Sequence, residues 1–341
     1  MAGEQVFRGS DGAPVEVTLL PIPNFSLSSF AALVEPLRLA NYVAERPLYS
    51  WRVVTPEGVP VRSSCGVAVA ADEPAERIRR PENIVVCGGV DGWAYEDQAA
   101  LALLRRWARD GAYVGAACTG AYVLARAGLL RDRRCTIHWE SLDGFAERFP
   151  DIDLRAALFE IDRDRFTCTG GEAACDMVLQ DIAWRHGGDI MAAVAGQLLH
   201  DRVRSGRDER YLPHQAWLRT SHPVLVKALT AMAANREERL SLVEIARVAN
   251  VSPRQLERLF RRYLDSTPAR WYLRMRLTRA RQLLIETQMP VTWIAVACGF
   301  GSTSHFSKNY RQFFGVCPRE ERRQRRAARD SAAAPPVSRA A

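Results

Sequence analysis

Four short segments of the first 120 residues, "VEVTLL" (15–20), "LYSWRVV" (48–54), "NIVVCGG" (83–89) and "AYVGAAC" (112–118), are β-branched or apolar almost throughout. That is the pattern of strands buried on both faces. Between them the apolar period changes to that of a helix, over Leu27 to Ala44 and again over Tyr95 to Arg109, where Leu101, Leu104, Trp107 and Ala108 share one face. The alternation predicts an α/β sandwich around a mainly parallel sheet. It continues with "CTIHW" (135–139), a helix from about Ser141 to Phe149, the strand pair "LFEID" and "RFTCTGG", a helix from Glu172 to His186 and another after Gly187-Gly188. Residues 12–204 are read as this domain.

Residues 205–221, which open with the polar, turn-rich "SGRDERYLPHQ", read as a linker, and from His222 to residue 320 only helical patterns occur. Ser241 and Glu244 stand three apart as a capping box, with Leu242, Ile245, Ala246, Val248 and Ala249 as the apolar side of a short helix. After Asn250-Val251, Ser252 and Pro253 start a second helix as N-cap and first residue. Its Leu256, Leu259 and Phe260 face a core, while Arg254, Gln255, Arg258, Arg261 and Arg262 make a cationic outer face. Two short helices and a tight turn of this kind are a helix-turn-helix. The layout recurs in "MPVTWIAVACGFGSTSHFSKNYRQFFG": Ile294, Ala295 and Val296 on a first helix, Gly299 at the turn and Ser302 capping the second. There Phe306, Tyr310 and Phe313 are expected inside and Thr303, Ser304, His305 and Lys308 outside. A longer helix, begun by Thr267-Pro268 and striped by Leu273, Leu277, Ala280 and Leu284, joins the two units.

Charge sharpens this division. Of the net +8, residues 236–329 carry 20 Lys and Arg against 8 Asp and Glu, while residues 1–235 carry 26 against 30. A basic C-terminal third points to a polyanion partner, most often nucleic acid. The alternative is a solvated arginine-rich surface, since Lys227 and Lys308 are the only lysines. The eight cysteines show neither zinc nor disulfide-framework spacing, so reduced thiols, no metal and no cofactor are expected. No apolar run approaches the roughly 18 residues of a membrane span, and residues 1–14 lack a signal-peptide pattern, so a cytoplasmic protein is expected. Residues 327–341, without hydrophobic period, are expected to be a disordered tail.

Residues 222–320, on "LSLVEIARVANVSPRQLERLFRRYLDSTPARWYLRMRLTRARQLL" and "PVTWIAVACGFGSTSHFSKNYRQFFGVCPREER", resemble the double helix-turn-helix domain of the AraC/XylS family of bacterial transcription regulators. The resemblance implies two recognition helices in successive major grooves of double-stranded operator DNA, about 34 Å apart. The family's base-reading positions fall on Arg254, Glu257 and Arg258 and on Thr303, Ser304 and Lys308, with Gln255 and His305 as further candidates. Glu257 is read as orienting a neighbouring arginine, and Arg261, Arg262 and Arg311 as meeting phosphate.

Around Cys118 a buried strand turns into the helix "TGAYVLARAGLL", with His138 twenty residues on. This is similar to the nucleophile elbow of the class I glutamine-amidotransferase-like superfamily, which includes the PfpI-type proteases. A thiol at a helix start is a potential nucleophile because the dipole favours the thiolate. The superfamily's supporting acid falls near Ser29 in "PIPNFSLSSFAALVEPLRLAN", where no carboxylate occurs between Asn24 and Val34. The whole chain resembles the GlxA-type subgroup of AraC-family regulators, on "NFSLSSFAALVEPLRLAN", "CTIHWESL" and "TCTGGEAACDMVLQDIA". That implies a flavodoxin-like, amidotransferase-like domain before the all-α domain, a homodimer with the helix after Asp189 at its interface, an activator that meets RNA polymerase, and a small effector. Relatives in the subgroup respond to arginine, carnitine or glycine betaine. Phe25, Ser29, Cys118, Thr119, His138 and Trp139 are the candidate effector site, with Trp93, Tyr95 and Tyr122 as further aromatics for a quaternary ammonium group. Two alternatives stay open: a cysteine amidase or protease tethered to DNA, and a first domain that serves dimerisation alone.

Overall fold

The computed structural model describes residues 5–9, 12–206 and 222–332. The first unit is built on β1 (Val15–Pro21), β2 (Tyr49–Thr55), β3 (Val61–Arg62), β4 (Ala68–Val69), β5 (Glu73–Pro74), β6 (Asn83–Cys87), β7 (Tyr113–Ala117), β8 (Arg134–Cys135), β9 (Asp153–Leu154), β10 (Phe159–Asp162) and β11 (Arg165–Cys168). Seven of these form one sheet in the order β10-β11-β7-β6-β1-β2-β5, parallel except for the β10–β11 hairpin. Leu19 sits beside Val53 on one side and Val85 on the other, and Val85 beside Gly115, so the apolar runs align across the sheet.

Because each run is apolar at odd and even positions, both faces need cover. On one face α1 (Leu27–Ala44), α5 (Glu172–His186) and α6 (Gly188–Gln197) enclose a core that includes Val17, Leu19, Leu37, Phe166 and Met177. On the other, α2 (Gln98–Arg109), α3 (Ala121–Arg126) and α4 (Leu142–Arg148) close over Leu20, Val86, Trp107, Tyr122 and Phe145. The expected α/β sandwich with a mainly parallel sheet is therefore present. Two elements are shorter than expected. The second helix begins at Gln98, because Asp97 caps it by accepting the N–H groups of Ala99 and Ala100. The "CTIHW" strand ends at Cys135, because the Thr136 N–H is taken by Thr167 Oγ1 at 2.8 Å and the chain leaves the ladder.

The chain divides into two compact units between Tyr211 and Leu212. The second contains α7 (Pro223–Ala234), α8 (Leu242–Val248), α9 (Pro253–Leu264), α10 (Pro268–Glu286), α11 (Val291–Ala297), α12 (Thr303–Phe314) and α13 (Pro318–Ala332). One core holds Leu229, Ile245, Leu256, Phe260 and Trp271; another holds Leu277, Leu284, Ile294, Phe306 and Tyr310. Three residues expected inside are not: Val248 is 51%, Val296 63% and Phe313 46% exposed. In α8 and α11, only two turns long, Ile245–Ala246 and Ile294–Ala295 supply the buried face and the valines fall beyond it. In α12, Phe314 takes the inner place and Phe313 stands edge-on to it at 4.8 Å.

Most of the expected linker, 207–221, lies outside the described residues, as do 333–341 of the expected tail. Residues 327–332 are helical, because α13 runs to Ala332. The helix is fastened at Glu321, which accepts from Tyr310 Oη at 2.6 Å and Arg281 Nε at 2.7 Å. No described helix is long and apolar enough to cross a membrane.

Candidate functional site

At the end of β7 the chain reverses through Cys118, whose φ of 57° places a non-glycine residue in the left-handed region. Such a residue costs about 1–3 kcal/mol and persists only where its surroundings enforce it. Here they do. Gly120 lies so close to β6 that a Cβ on it would stand 2.3 Å from the Val86 carbonyl oxygen, and Thr119 Oγ1 donates to the Gly89 carbonyl at 2.6 Å. One turn of 3-10 helix, Cys118–Gly120, then leads into α3. The backbone is that of a nucleophile elbow.

The side chains around it are not arranged as a catalytic triad. Burial pushes the Cys118 thiol up to about 11, so it is protonated near neutral pH. Burial also lowers the basicity of His138, whose Nδ1 accepts the Glu140 N–H at 3.4 Å; no hydrogen bond joins the imidazole to Cys118 Sγ. Ser29, where the supporting acid was expected, is buried and accepts the Gly171 N–H at 2.8 Å. Gly170, at φ 90°, closes over both: a Cβ there would lie 2.5 Å from Ser29 Oγ and 2.9 Å from Cys118 Cβ. A carboxylate does stand near the elbow, that of exposed Glu140, but its charge raises the Cys118 pKa and so disfavours the thiolate. Sequence spacing gave no sign of Glu140, which reaches the site only because residues 138–141 form a turn.

The six effector candidates separate. Cys118, Ser29 and Thr119 gather around the elbow. His138 and Trp139 stack at 5.5 Å beside it, half-buried, with the His138 N–H on the Cys118 carbonyl at 3.4 Å. Phe25 is fully buried against Phe30 and pairs through its backbone with Ser63 and Gly89, so its ring is core. Tyr122 is core as well, against Phe145 and Phe149. Trp93 lies half-buried under the Arg148 guanidinium at 5.6 Å.

In the second unit local chemistry sets each recognition helix. The Ser241–Glu244 capping box closes in both directions, at 2.7 and 3.3 Å. Asn250, at φ 57°, makes the turn, and Ser252 Oγ accepts the Gln255 N–H with Pro253 as first residue of α9. Ser302 Oγ caps α12 in the same way, accepting the His305 N–H at 3.2 Å. Arg254, Gln255, Arg258, Arg261 and Arg262 are exposed on α9; Ser304, His305, Lys308 and Arg311 are exposed on α12, with Thr303 half-buried. None of the basic side chains in this set forms an ion pair among the described residues. Such a face is available to phosphate and base edges. Glu257, read as an orienting acid, makes no ion pair among the described residues. The groups that tie the two halves together carried no sequence signal. Arg276, buried on α10, donates Nη1 to the Gly299 carbonyl at 2.7 Å, and Tyr272 Oη is bonded to the Asn235 carbonyl.

A DJ-1/PfpI-like elbow domain and a double helix-turn-helix unit in one chain define a DNA-binding transcriptional regulator. Comparison with known proteins agrees. The DJ-1/PfpI family matches residues 32–179 and a helix-turn-helix domain family matches residues 245–324. The transcriptional regulator GbdR of Pseudomonas aeruginosa is 42% identical over 309 residues, 91% of this chain and 84% of that protein. The regulator GlxA of Rhizobium meliloti is 37% identical over 318 residues, 92% of this chain and 98% of its own. The crystal structure of an AraC family transcriptional regulator from Pseudomonas putida superposes with a TM-score of 0.50 at 28% identity, covering 54% of this chain and all of that one. The chain belongs to the AraC family of transcriptional regulators, in the GlxA-type subgroup with an N-terminal DJ-1/PfpI domain.

Proposed function

We propose that this regulator is a homodimeric activator controlled by a small zwitterion, amino-acid-derived or betaine-like, that binds at the Cys118 elbow and is not turned over there. Trp139 and His138 offer ring faces to the cationic group and Glu140 offers a carboxylate. α9 and α12 then read the operator, Arg254, Arg258, Thr303, Ser304 and Lys308 at base edges, Gln255 and His305 as secondary contacts, and Arg261, Arg262 and Arg311 on phosphates. RNA polymerase is the further partner of an activator. Exposed Trp184 and Leu199, on either side of α6, support a protomer contact there.

One observation carries the sensor reading: the loop over the elbow is also the anchor of the segment leading to the linker. Gly170 and Gly171 touch Cys118 and Ser29, while the Thr169 N–H bonds the Leu158 carbonyl and the Leu158 N–H bonds the Gly206 carbonyl. About one turn into α5, buried Asp176 accepts from Arg204 Nε at 2.6 Å and from the Arg204 N–H at 3.0 Å, and bonds His200 Nε2 at 2.7 Å. A ligand that displaces the loop therefore biases the chain that leads out of the domain. The protonated thiol and the neutral histidine, without a hydrogen bond between them, support binding rather than hydrolysis.

The test is a thermal melt against a panel of zwitterions. A ligand at a hundred times its Kd stabilises by about 2.7 kcal/mol, and Glu140→Gln with Trp139→Ala should abolish that shift. A panel without any shift would leave dimerisation as the domain's role. Amide hydrolysis by the parent that vanishes in Cys118→Ala would make it an enzyme.

A further inference from the structure

The two helix-turn-helix halves meet along α10, and the seam holds a cleft of about 430 Å³. Arg239 lines it from the loop before α8, Thr267 and Arg270 from the start of α10, Arg276 from two turns further on, and His305 and Asn309 from α12. No carboxylate lines it. Arg276 is only 4% exposed, sandwiched with its guanidinium 4.4 Å from the Phe300 ring centroid, and its buried Nε has no hydrogen-bond partner. Arg239 and Arg270 are exposed and make no ion pair among the described residues. Three guanidinium groups thus line one cleft that has no carboxylate in its lining, and one of them, Arg276, is buried with Nη1 on the Gly299 carbonyl and Nε unpartnered. A buried donor left in this state is costly until an acceptor arrives.

The position of the cleft identifies the acceptor. His305 and Asn309 belong to the second recognition helix, and Thr267 and Arg270 follow directly on the first. A duplex that takes α9 and α12 in successive major grooves lays its intervening backbone across this seam. We propose that the cleft is a phosphodiester clamp, which takes one backbone phosphate of the DNA between the two grooves on Arg239 and Arg270, with Arg276 behind them. The proposal rests on the DNA-binding reading of this unit. Such a contact fixes the register of both recognition helices and reads no base.

The experiment uses the full chain and a duplex selected from a random pool for tight binding. Affinity is measured by anisotropy over a salt series, for the selected and an unrelated duplex, in the parent and in Arg239→Ala with Arg270→Ala. The clamp predicts a loss of about tenfold on both duplexes and a slope of log affinity against log salt that is shallower by about 0.9, the value of one phosphate. An unchanged slope, or a loss confined to the selected duplex, would overturn it. A second arm compares melting in inorganic phosphate and chloride at equal ionic strength. Stabilisation of the parent by free phosphate, lost in the double variant while the DNA slope stays the same, would assign the cleft to a small anion instead. A parent that enriches no duplex would overturn the DNA-binding reading together with the clamp.

Discussion

Arginine is used in opposite ways by the core of the N-terminal unit and by the recognition helices of the C-terminal one, whose own interior arginines, Arg276 and Arg281, are held by the Gly299 carbonyl and Glu321. In the N-terminal unit four buried or half-buried guanidinium groups are held by ion pairs and carbonyls: Arg165 by Asp164 and the Leu129 carbonyl, Arg185 by Asp181, Arg204 by Asp176, Arg126 by the Tyr95 carbonyl and Glu96. In the C-terminal unit the arginines of α9 and the cations of α12 extend into solvent without an ion-pair partner among the described residues. The same residue type holds a fold together in one place and waits for a polyanion in the other. What separates the cases is whether a carboxylate or carbonyl lies within reach, which charge counting along the chain does not report.

The largest effect should come from breaking the first pattern. Asp176→Ala leaves buried Arg204 with the exposed Glu172 carboxylate at 3.3 Å in place of its buried partner, and removal of one partner of a buried pair costs about 3–5 kcal/mol. Chemical denaturation followed by a probe of the N-terminal unit should lose that amount; a loss below about 1 kcal/mol would show that the Asp176 cluster is not an anchor. The second pattern predicts the reverse signature. Arg254→Ala with Lys308→Ala should leave the melting curve in place and remove sequence-specific DNA binding, at about 1–3 kcal/mol for each base no longer read. Unchanged operator affinity would reassign the reading faces. Ser252→Ala should have the smallest effect, about 1 kcal/mol of C-terminal stability from the missing cap, and a melt that does not move would show that the hydroxyl does not hold the start of α9.

A comparison of thiols extends the contrast to chemistry. Cys65 is exposed, and its hydrogen bond with Ser63 and the Val67 backbone lower its pKa, whereas burial raises that of Cys118 to about 11. In a Cys65→Ser, Cys317→Ser background, alkylation at Cys118 should be slow at neutral pH and still rising at pH 10, because only the thiolate reacts and a raised pKa keeps it scarce below that value. A rate that levels off below pH 9 would mean an activated nucleophile.

The legible parts of the molecule were local ones. A capping box, Ser252-Pro253 and Thr267-Pro268 state in three or four residues where a helix starts, and the apolar runs of β1, β6 and β7 state that both faces of the sheet are covered. Helix faces were less legible where the helix is short: in α12 both Phe313 and Phe314 lie within one residue of the stripe that begins at Phe306, and packing chose Phe314. Long-range polar contacts were not legible at all. Asp176 meets residues 24 and 28 positions away, Arg276 meets Gly299 23 positions on, and Glu140 comes beside Cys118 through a turn, so none leaves a mark in spacing or composition.

An elbow that binds a ligand without using its thiol should keep its response when the sulfur is replaced. The most direct test is operator affinity, with and without whichever zwitterion raises the melting temperature, in the parent and in Cys118→Ser. Ligand should shift operator affinity by the same factor in both proteins. A response that disappears in Cys118→Ser would contradict binding without thiol chemistry and make the cysteine a reacting group.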